Sequence, residues 1–307
     1  MNRRRAYTKQ HVVPQSYLQR FAKKNTNNKG YHIGVRLKNK GKINLFTKAI
    51  DDIAYVDNYY DVSTREDPKY WEHYFSKHIE PLYGQPLSKI ISKITLCASG
   101  EKILDYNDKY ILALMICFQI LRVPAFIDRH LEKGKNMCDE IIDHFFKTYG
   151  DYLSDEQVAS INRINIDRNF LMDNTLINIT DDQRLEKRAK ILANKVWAVY
   201  YNNSVIPFFT SDNPVLMYNI VTHSIDYEDN GIGRNDSIIF FPLTGKILVQ
   251  LLSPALFLNS ADGIDSKRIV LKNKDLKFIT GINVLQLEHS SYQSFMHPQF
   301  LYEIEND

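Results

Sequence analysis

Lys195-Val196-Trp197-Ala198-Val199-Tyr200-Tyr201 is the stretch where the hydrophobic period of this chain changes to two. Four more short β-rich runs follow it, at 205–209, 215–218, 237–241 and 246–251, set apart by Asn-Asn, Asp-Asn-Pro and Gly segments. Their spacing predicts a largely antiparallel β-meander. Upstream the period is helical. Pro68 opens a helix over 69–79 with Trp71, Tyr74, Phe75 and His78 on one face, and Pro81 and Pro86 break it before 87–97. Asp105 or Asn107 caps an apolar helix over 110–121, which Pro124 kinks before 128–133. Further helices are predicted at 136–149, at 154–162 with the Ser154/Gln157 capping-box spacing, and at 181–194 with Thr180 as cap. Nearer the start, Pro14 precedes a short helix over 15–22, and 31–37 and 42–46 flank Lys38-Asn39-Lys40-Gly41 as a β-hairpin. Past the meander, 275–289 reads as a closing helix and His297-Pro298 as the start of an extended tail. Helices first and strands later give an α+β fold. The expected organisation is one domain over 1–307, made of a basic segment 1–48, a helical block 68–194, and a β-meander plus C-terminal helix at 195–307.

With 307 residues, 44% hydrophobic and 24% charged, the chain is long enough for a sizeable core and too ordinary for a disordered or collagenous protein. The longest apolar stretch, 110–121, is shorter than the ~20 residues of a membrane span, so no membrane partner is expected. Met1-Asn2-Arg3-Arg4-Arg5 could open a signal peptide, but Lys9, Gln10, His11 and Pro14 interrupt any apolar segment after it. Cys97, Cys117 and Cys138 are odd in number and far apart, which argues against a disulfide framework and fits a reducing, cytoplasmic location. A P-loop, a dinucleotide-binding glycine fingerprint, a Gly-x-Ser-x-Gly elbow and a His-Glu-x-x-His zinc motif are all missing from the sequence.

Charge is unevenly placed. Residues 1–48 contain thirteen of the 39 Lys and Arg and none of the 36 Asp and Glu, so the remainder carries 26 basic against 36 acidic groups. Such a cationic segment, which includes Arg3, Arg4, Arg5 and Lys9, suits a polyanion, because each cation placed on a phosphate releases a counterion. Tyr7, Tyr17, Phe21, Tyr31 and Phe46 lie among the cations and offer stacking surfaces. The competing reading is that the segment folds onto the acidic body of its own chain.

Four polar sites stand where polarity is costly. His11 precedes an apolar pair and Pro14, which resembles the His-x-x-Pro strand end of HNH nucleases, where the His is a general base. That motif needs a helix where a hairpin is read, and a His bonded to a nearby backbone carbonyl is the commoner arrangement. Gln119 and Arg122 share one face of an apolar helix, as an anion clamp or as half of an internal ion pair. Ser211, Asp212 and Asn213 sit before Pro214 at a strand end, suited to catalysis, to metal binding or to an Asx turn. Glu80, just before Pro81, could act as an acid, share Mg²⁺ with Asp212, or pair with Arg122.

His11-Val12-Val13-Pro14-Gln15-Ser16-Tyr17-Leu18, Gln119-Ile120-Leu121-Arg122-Val123-Pro124 and Phe209-Thr210-Ser211-Asp212-Asn213-Pro214-Val215 together resemble the motifs of the bacterial family called domain of unknown function 4238. Trp197, Phe241-Pro242-Leu243-Thr244 and Asn283 are similar to its remaining elements. The family brings no settled reaction, but the link of some members to anti-phage defence implies an effector that attacks nucleic acid. On this expectation the protein is a nuclease. His11 is its general acid or base, Asp212 and Glu80 hold a divalent metal, and Arg122 stabilises phosphate. Gln15, Gln119, Ser211, Asn213, Arg3, Arg4, Arg5 and Lys9 then bind substrate. The alternative is a sensor or binding module that recognises a nucleotide, nucleic acid or phage component without chemistry.

Overall fold

Two five-stranded sheets organise the protein, described by a computed structural model over residues 8–25, 30–39, 42–164, 166–256 and 263–301. The first sheet contains β6 (Val196–Asn202), β8 (Leu216–Asn219), β9 (Ser237–Thr244), β10 (Ile247–Leu252) and β11 (Lys267–Leu271), in the order β11-β6-β10-β9-β8. All of its neighbours are antiparallel except β11, which runs parallel to β6. β6 is buried along most of its length and β10 throughout, as a central pair with both faces covered must be. The fold is α+β.

The second sheet joins the two ends of the chain. The hairpin of β3 (Tyr31–Asn39) and β4 (Lys42–Ala49) carries β2 (Lys23–Lys24) at one end of β3. β12 (Gln293–Met296) pairs antiparallel with β3 from Gly34 to Leu37 and with β7 (Thr210–Ser211) on its other side. Gly34 is needed there, because a Cβ would stand 3.2 Å from the Met296 carbonyl oxygen. The basic hairpin is therefore part of a sheet rather than a free arm. Beside it, β1 (Lys9–His11) pairs with β5 (Tyr55–Asp57).

Helices fill the space between. After α1 (Gln15–Leu18) come α2 (Tyr70–Tyr74), a π-helical turn at Phe75–Ile79, and α3 (Gln85–Leu96), whose Pro86 sits in its first turn and opens it rather than breaking it. Asp105 caps α4 (Tyr106–Arg122) in a capping box with Asp108. Val123, extended as a residue before proline must be, separates α4 from α5 (Pro124–Tyr149), so Pro124 starts a helix instead of kinking one. The two helices predicted at 128–133 and 136–149 are this single helix. Ser154 and Gln157 form the expected capping box on α6 (Asp155–Asn162), and Asp181 rather than Thr180 caps α8 (Asp182–Ala193). The elements without a counterpart in the sequence reading are α7 (Arg168–Thr180) and the strands β1, β2, β5, β7, β11 and β12. Residues 205–209, expected as a strand, form a loop in which Asn202 bonds the Ile206 carbonyl and the Ser204 N–H. α9 (Leu276–His289) closes the fold, followed by β12 and a 3-10 turn at Pro298–Phe300 where an extended tail was expected. No single described helix is long and apolar enough to cross a membrane, and the α4–α5 pair is bent by 58°.

One apolar core runs from Val12 to Phe295. Tyr17 ties its parts together. Its ring lies 5.4 Å from Phe241 in a stacked pair, and its hydroxyl bonds Thr210 at 2.8 Å and the Pro242 carbonyl at 2.6 Å. The His11–Leu18 and Phe209–Val215 motifs thus meet the Phe241–Thr244 element around a single side chain.

Candidate functional site

Arg122 ends the buried helix α4, so its guanidinium enters the core where water cannot reach it, and the residue is 1% exposed. Nη2 donates to the His11 backbone carbonyl, Glu80 stands 3.8 Å away, and the guanidinium lies 5.0 Å from the centre of the Phe75 ring. The π-helical turn sets this geometry, because it supplies Phe75 and ends immediately before Glu80. Nε and Nη1 have no hydrogen-bond partner among the described residues, and neither does the buried Oε2 of Glu72. Burial pushes the Glu72 carboxyl up, while the Arg122 charge pulls it down. Gln119, one turn earlier, donates to the Val12 carbonyl at 3.1 Å and accepts from the Tyr83 hydroxyl. Tyr60 donates to the Arg122 carbonyl at 2.6 Å.

His11 and Gln15 border this knot. Their side-chain nitrogens are 3.0 Å apart, so the Gln15 amide donates to a deprotonated ring nitrogen. Burial, with the Arg122 charge behind it, lowers His11 to about 4, so the ring is neutral at pH 7. The structure therefore brings together His11, Gln15, Glu80, Gln119 and Arg122.

Asp212 is held differently. Its carboxylate accepts the backbone N–H groups of Ser291 at 2.8 Å, Tyr292 at 2.8 Å and Gln293 at 2.9 Å, fixing the turn from α9 into β12. Burial pushes its pKa up to about 6, and the three N–H donors pull it back. It has no ion pair or side-chain hydrogen bond with His11, Glu80 or Arg122. Ser211 donates to Gln286 at 2.9 Å, and Asn213 accepts from Tyr227 at 2.9 Å. Those two side chains thus anchor β7 and its turn on α9 and the 220–236 loop. Glu80 and Asp212, expected to share a metal, point to separate partners, and no group of three or more His, Cys, Asp or Glu gathers among the described residues.

Asp212 does reach an open surface. It forms part of the floor of a hollow of about 390 Å³, with Val12, Pro124 and Gln293 also on the floor and Lys38, Tyr55 and Tyr292 at the rim. All three motifs contribute to this hollow through Val12, Pro124 and Asp212. Lys9 extends the cationic rim, lying 4.6 Å over the Tyr55 ring and pairing with Asp52.

The cations of residues 1–48 test the two readings of that segment. Lys23, Lys24, Lys38, Lys42 and Lys48 are exposed along β2, β3 and β4, and none makes an ion pair with a described residue. Arg20 bonds the Tyr83 and Gly84 carbonyls and Ser88. Arg3, Arg4 and Arg5 lie outside the described residues. Lys48 is close enough to Asp52 for its charge to help lower that carboxyl, but forms no ion pair with it. Sequence reasoning missed Tyr55 and Tyr292, which carry no pattern of their own, and Tyr60, Glu72 and Tyr83, whose polar ends matter only once Arg122 is buried beside them.

With this geometry in hand, the chain matches the family described as a protein of unknown function, DUF4238, over residues 9–299, and it belongs to that family. No curated protein matches it. No solved structure matches it either.

Proposed function

We propose that this protein is a nucleic-acid-binding defence effector of the bacterial cytoplasm, whose contact surface is the lysine-lined β2–β3–β4 sheet and the adjoining hollow. The supporting observation is the set of five exposed lysines without ion pairs, spread over roughly 20 Å of strand at about 3.3 Å per residue. The register puts Lys24, Lys42 and Lys48 on one face of the sheet, where they can neutralise a phosphate backbone, and Lys23 and Lys38 on the other, with Lys38, Tyr55 and Tyr292 at the hollow offering a cation and faces on which unpaired bases stack. The defence role rests on the family resemblance. On this reading the Arg122 knot is the rigid support that holds the hollow's floor. Gel-shift titration of purified protein with single-stranded RNA and DNA is the test. Binding that weakens steeply with salt supports the proposal, and no shift at low salt refutes it.

The nuclease reading keeps one observation in its favour. His11 is neutral at pH 7 beside a guanidinium with two unpartnered nitrogens, a pairing that suits general-base attack near phosphate. Incubation with RNA and DNA, with and without Mg²⁺, beside His11→Ala decides it. Cleavage that disappears in the variant supports hydrolysis, and equal or absent cleavage in both proteins removes it.

A further inference from the structure

Away from the lysine surface, a second hollow of about 410 Å³ lies where α4, α5 and α8 meet the loop between β8 and β9. Its floor and walls are apolar, with Ile120 and Leu121 from α4, Phe126 from α5, Met217 from β8 and Ile232 from the loop. Phe126 is held in place by stacking on His130 at 3.9 Å and by an edge contact with Tyr227 at 6.3 Å. At the mouth, Glu228 takes up two cations of α5, pairing with Arg129 and, at 3.6 Å, with Lys133.

Arg188 of α8 is the exception. It lines the same hollow and makes no hydrogen bond or ion pair with a described residue, and its Nη1 is buried and unpartnered. Its charge is felt by Cys117 on the opposite helix, whose thiol burial pushes up to about 12 while Arg188 pulls the other way. A buried donor left unsatisfied is costly, more so when charged, so such a group calls for a partner. Other polar side chains of the hollow have partners of their own, Arg129 and Lys133 with Glu228, His130 with the Phe126 carbonyl and Tyr227 with Asn213. Asn230, at its edge, has its amide committed to the Ser224 and Asp226 carbonyls and its own carbonyl to Ser237.

We infer that this hollow binds a small anion on an apolar body, with a carboxylate or phosphate on Arg188 and hydrocarbon or an aromatic ring against Ile120, Leu121, Phe126, Met217 and Ile232. A nucleotide fits less well, because its polar base edge would lie against Ile120, Leu121, Phe126, Met217 and Ile232. The inference stands apart from the nucleic-acid surface. Its site draws on none of the lysines of residues 1–48, and its test uses no nucleic acid.

Isothermal titration of the full-length protein with 1-naphthoate, decanoate, AMP and the neutral analogue 1-naphthylmethanol tests it. Naphthoate and decanoate are expected to bind at least about tenfold more tightly than naphthylmethanol and AMP, since a charge-assisted contact is worth that much or more. Arg188→Met is expected to remove the preference for naphthoate over naphthylmethanol without lowering the thermal midpoint, and Ile232→Trp to block both by filling the space. Equal binding of the acid and the alcohol, tighter binding of AMP, or no binding at millimolar concentration would overturn the inference. Should Arg188→Met fail to fold, the acid-versus-alcohol comparison on the unaltered protein decides alone.

Discussion

The Arg122 knot and the hollow above Asp212 both draw on the His11–Leu18 and Gln119–Pro124 motifs, yet one is closed and the other open. Arg122 faces inward from a buried helix and finds a backbone carbonyl, a carboxylate and an aromatic face. Lys38, Tyr55 and Tyr292 face outward around a hollow, with Asp212 below them bound to backbone amides. Polar residue type alone does not distinguish support from contact. What separates them is whether the partner belongs to the chain itself.

The contrast predicts a descending series of effects. The largest is Arg122→Met, which leaves the buried His11 carbonyl without its donor and the partly exposed Glu80 without its cation, and should cost about 2–4 kcal/mol of unfolding free energy, read by urea denaturation. A loss under 1 kcal/mol would mean that the knot is not a support. Asp212→Asn should cost about 2–3 kcal/mol at pH 7, since three amide donors then face a neutral group that also carries an N–H₂.

The pH dependence of stability sharpens the point. His11 and His289 are both lowered by burial to about 4, so between pH 6.5 and 4 the unfolded chain takes up protons that the folded one refuses. Their contribution is complete above pH 6.5 and disappears as the pH falls to 4. Asp212, raised to about 6, acts in the opposite sense, because the folded state takes its proton first. The Asp212→Asn protein should therefore lose stability on acidification more steeply than the unaltered one. Thermal midpoints at pH 7, 6, 5 and 4 check this, and parallel curves would contradict it. The smallest effect belongs to the open region. Tyr292→Ala should weaken single-strand binding by about 1–3 kcal/mol while leaving the thermal midpoint in place.

Most of the periodic structure was legible in the sequence, because the central strands and α4 are buried along nearly their full length and their apolar residues are close to continuous. The elements that escaped have local reasons. α7 carries Asn174 and Asn178, whose amides bond the carbonyls four residues back, so its polar residues read as breakers while supporting the helix. Gly134 falls between the helices expected at 128–133 and 136–149, and a Cβ there would stand 3.3 Å from the Leu171 side chain of α7. β12 has only four residues and gains its meaning from β3 and β7, far off in sequence. For the candidate site, the ion pair of Arg122 with Glu80 was one of the readings weighed, because an arginine in an apolar helix must find an anion. The backbone cradle of Asp212 was not legible, since peptide N–H groups leave no mark in a sequence.

The central claim is that the unpaired lysines of β2, β3 and β4 bind a polyanion. Fluorescence anisotropy of a labelled single-stranded oligonucleotide, titrated at several salt concentrations, tests it most directly with the unaltered protein beside Lys24→Glu/Lys42→Glu/Lys48→Glu, three lysines on one face of the sheet. The account predicts a linear fall of log affinity with log salt whose slope shrinks by about 2 in the triple variant, near 0.7 per lost phosphate contact on a single strand. An unchanged slope, or affinity insensitive to salt, would contradict it.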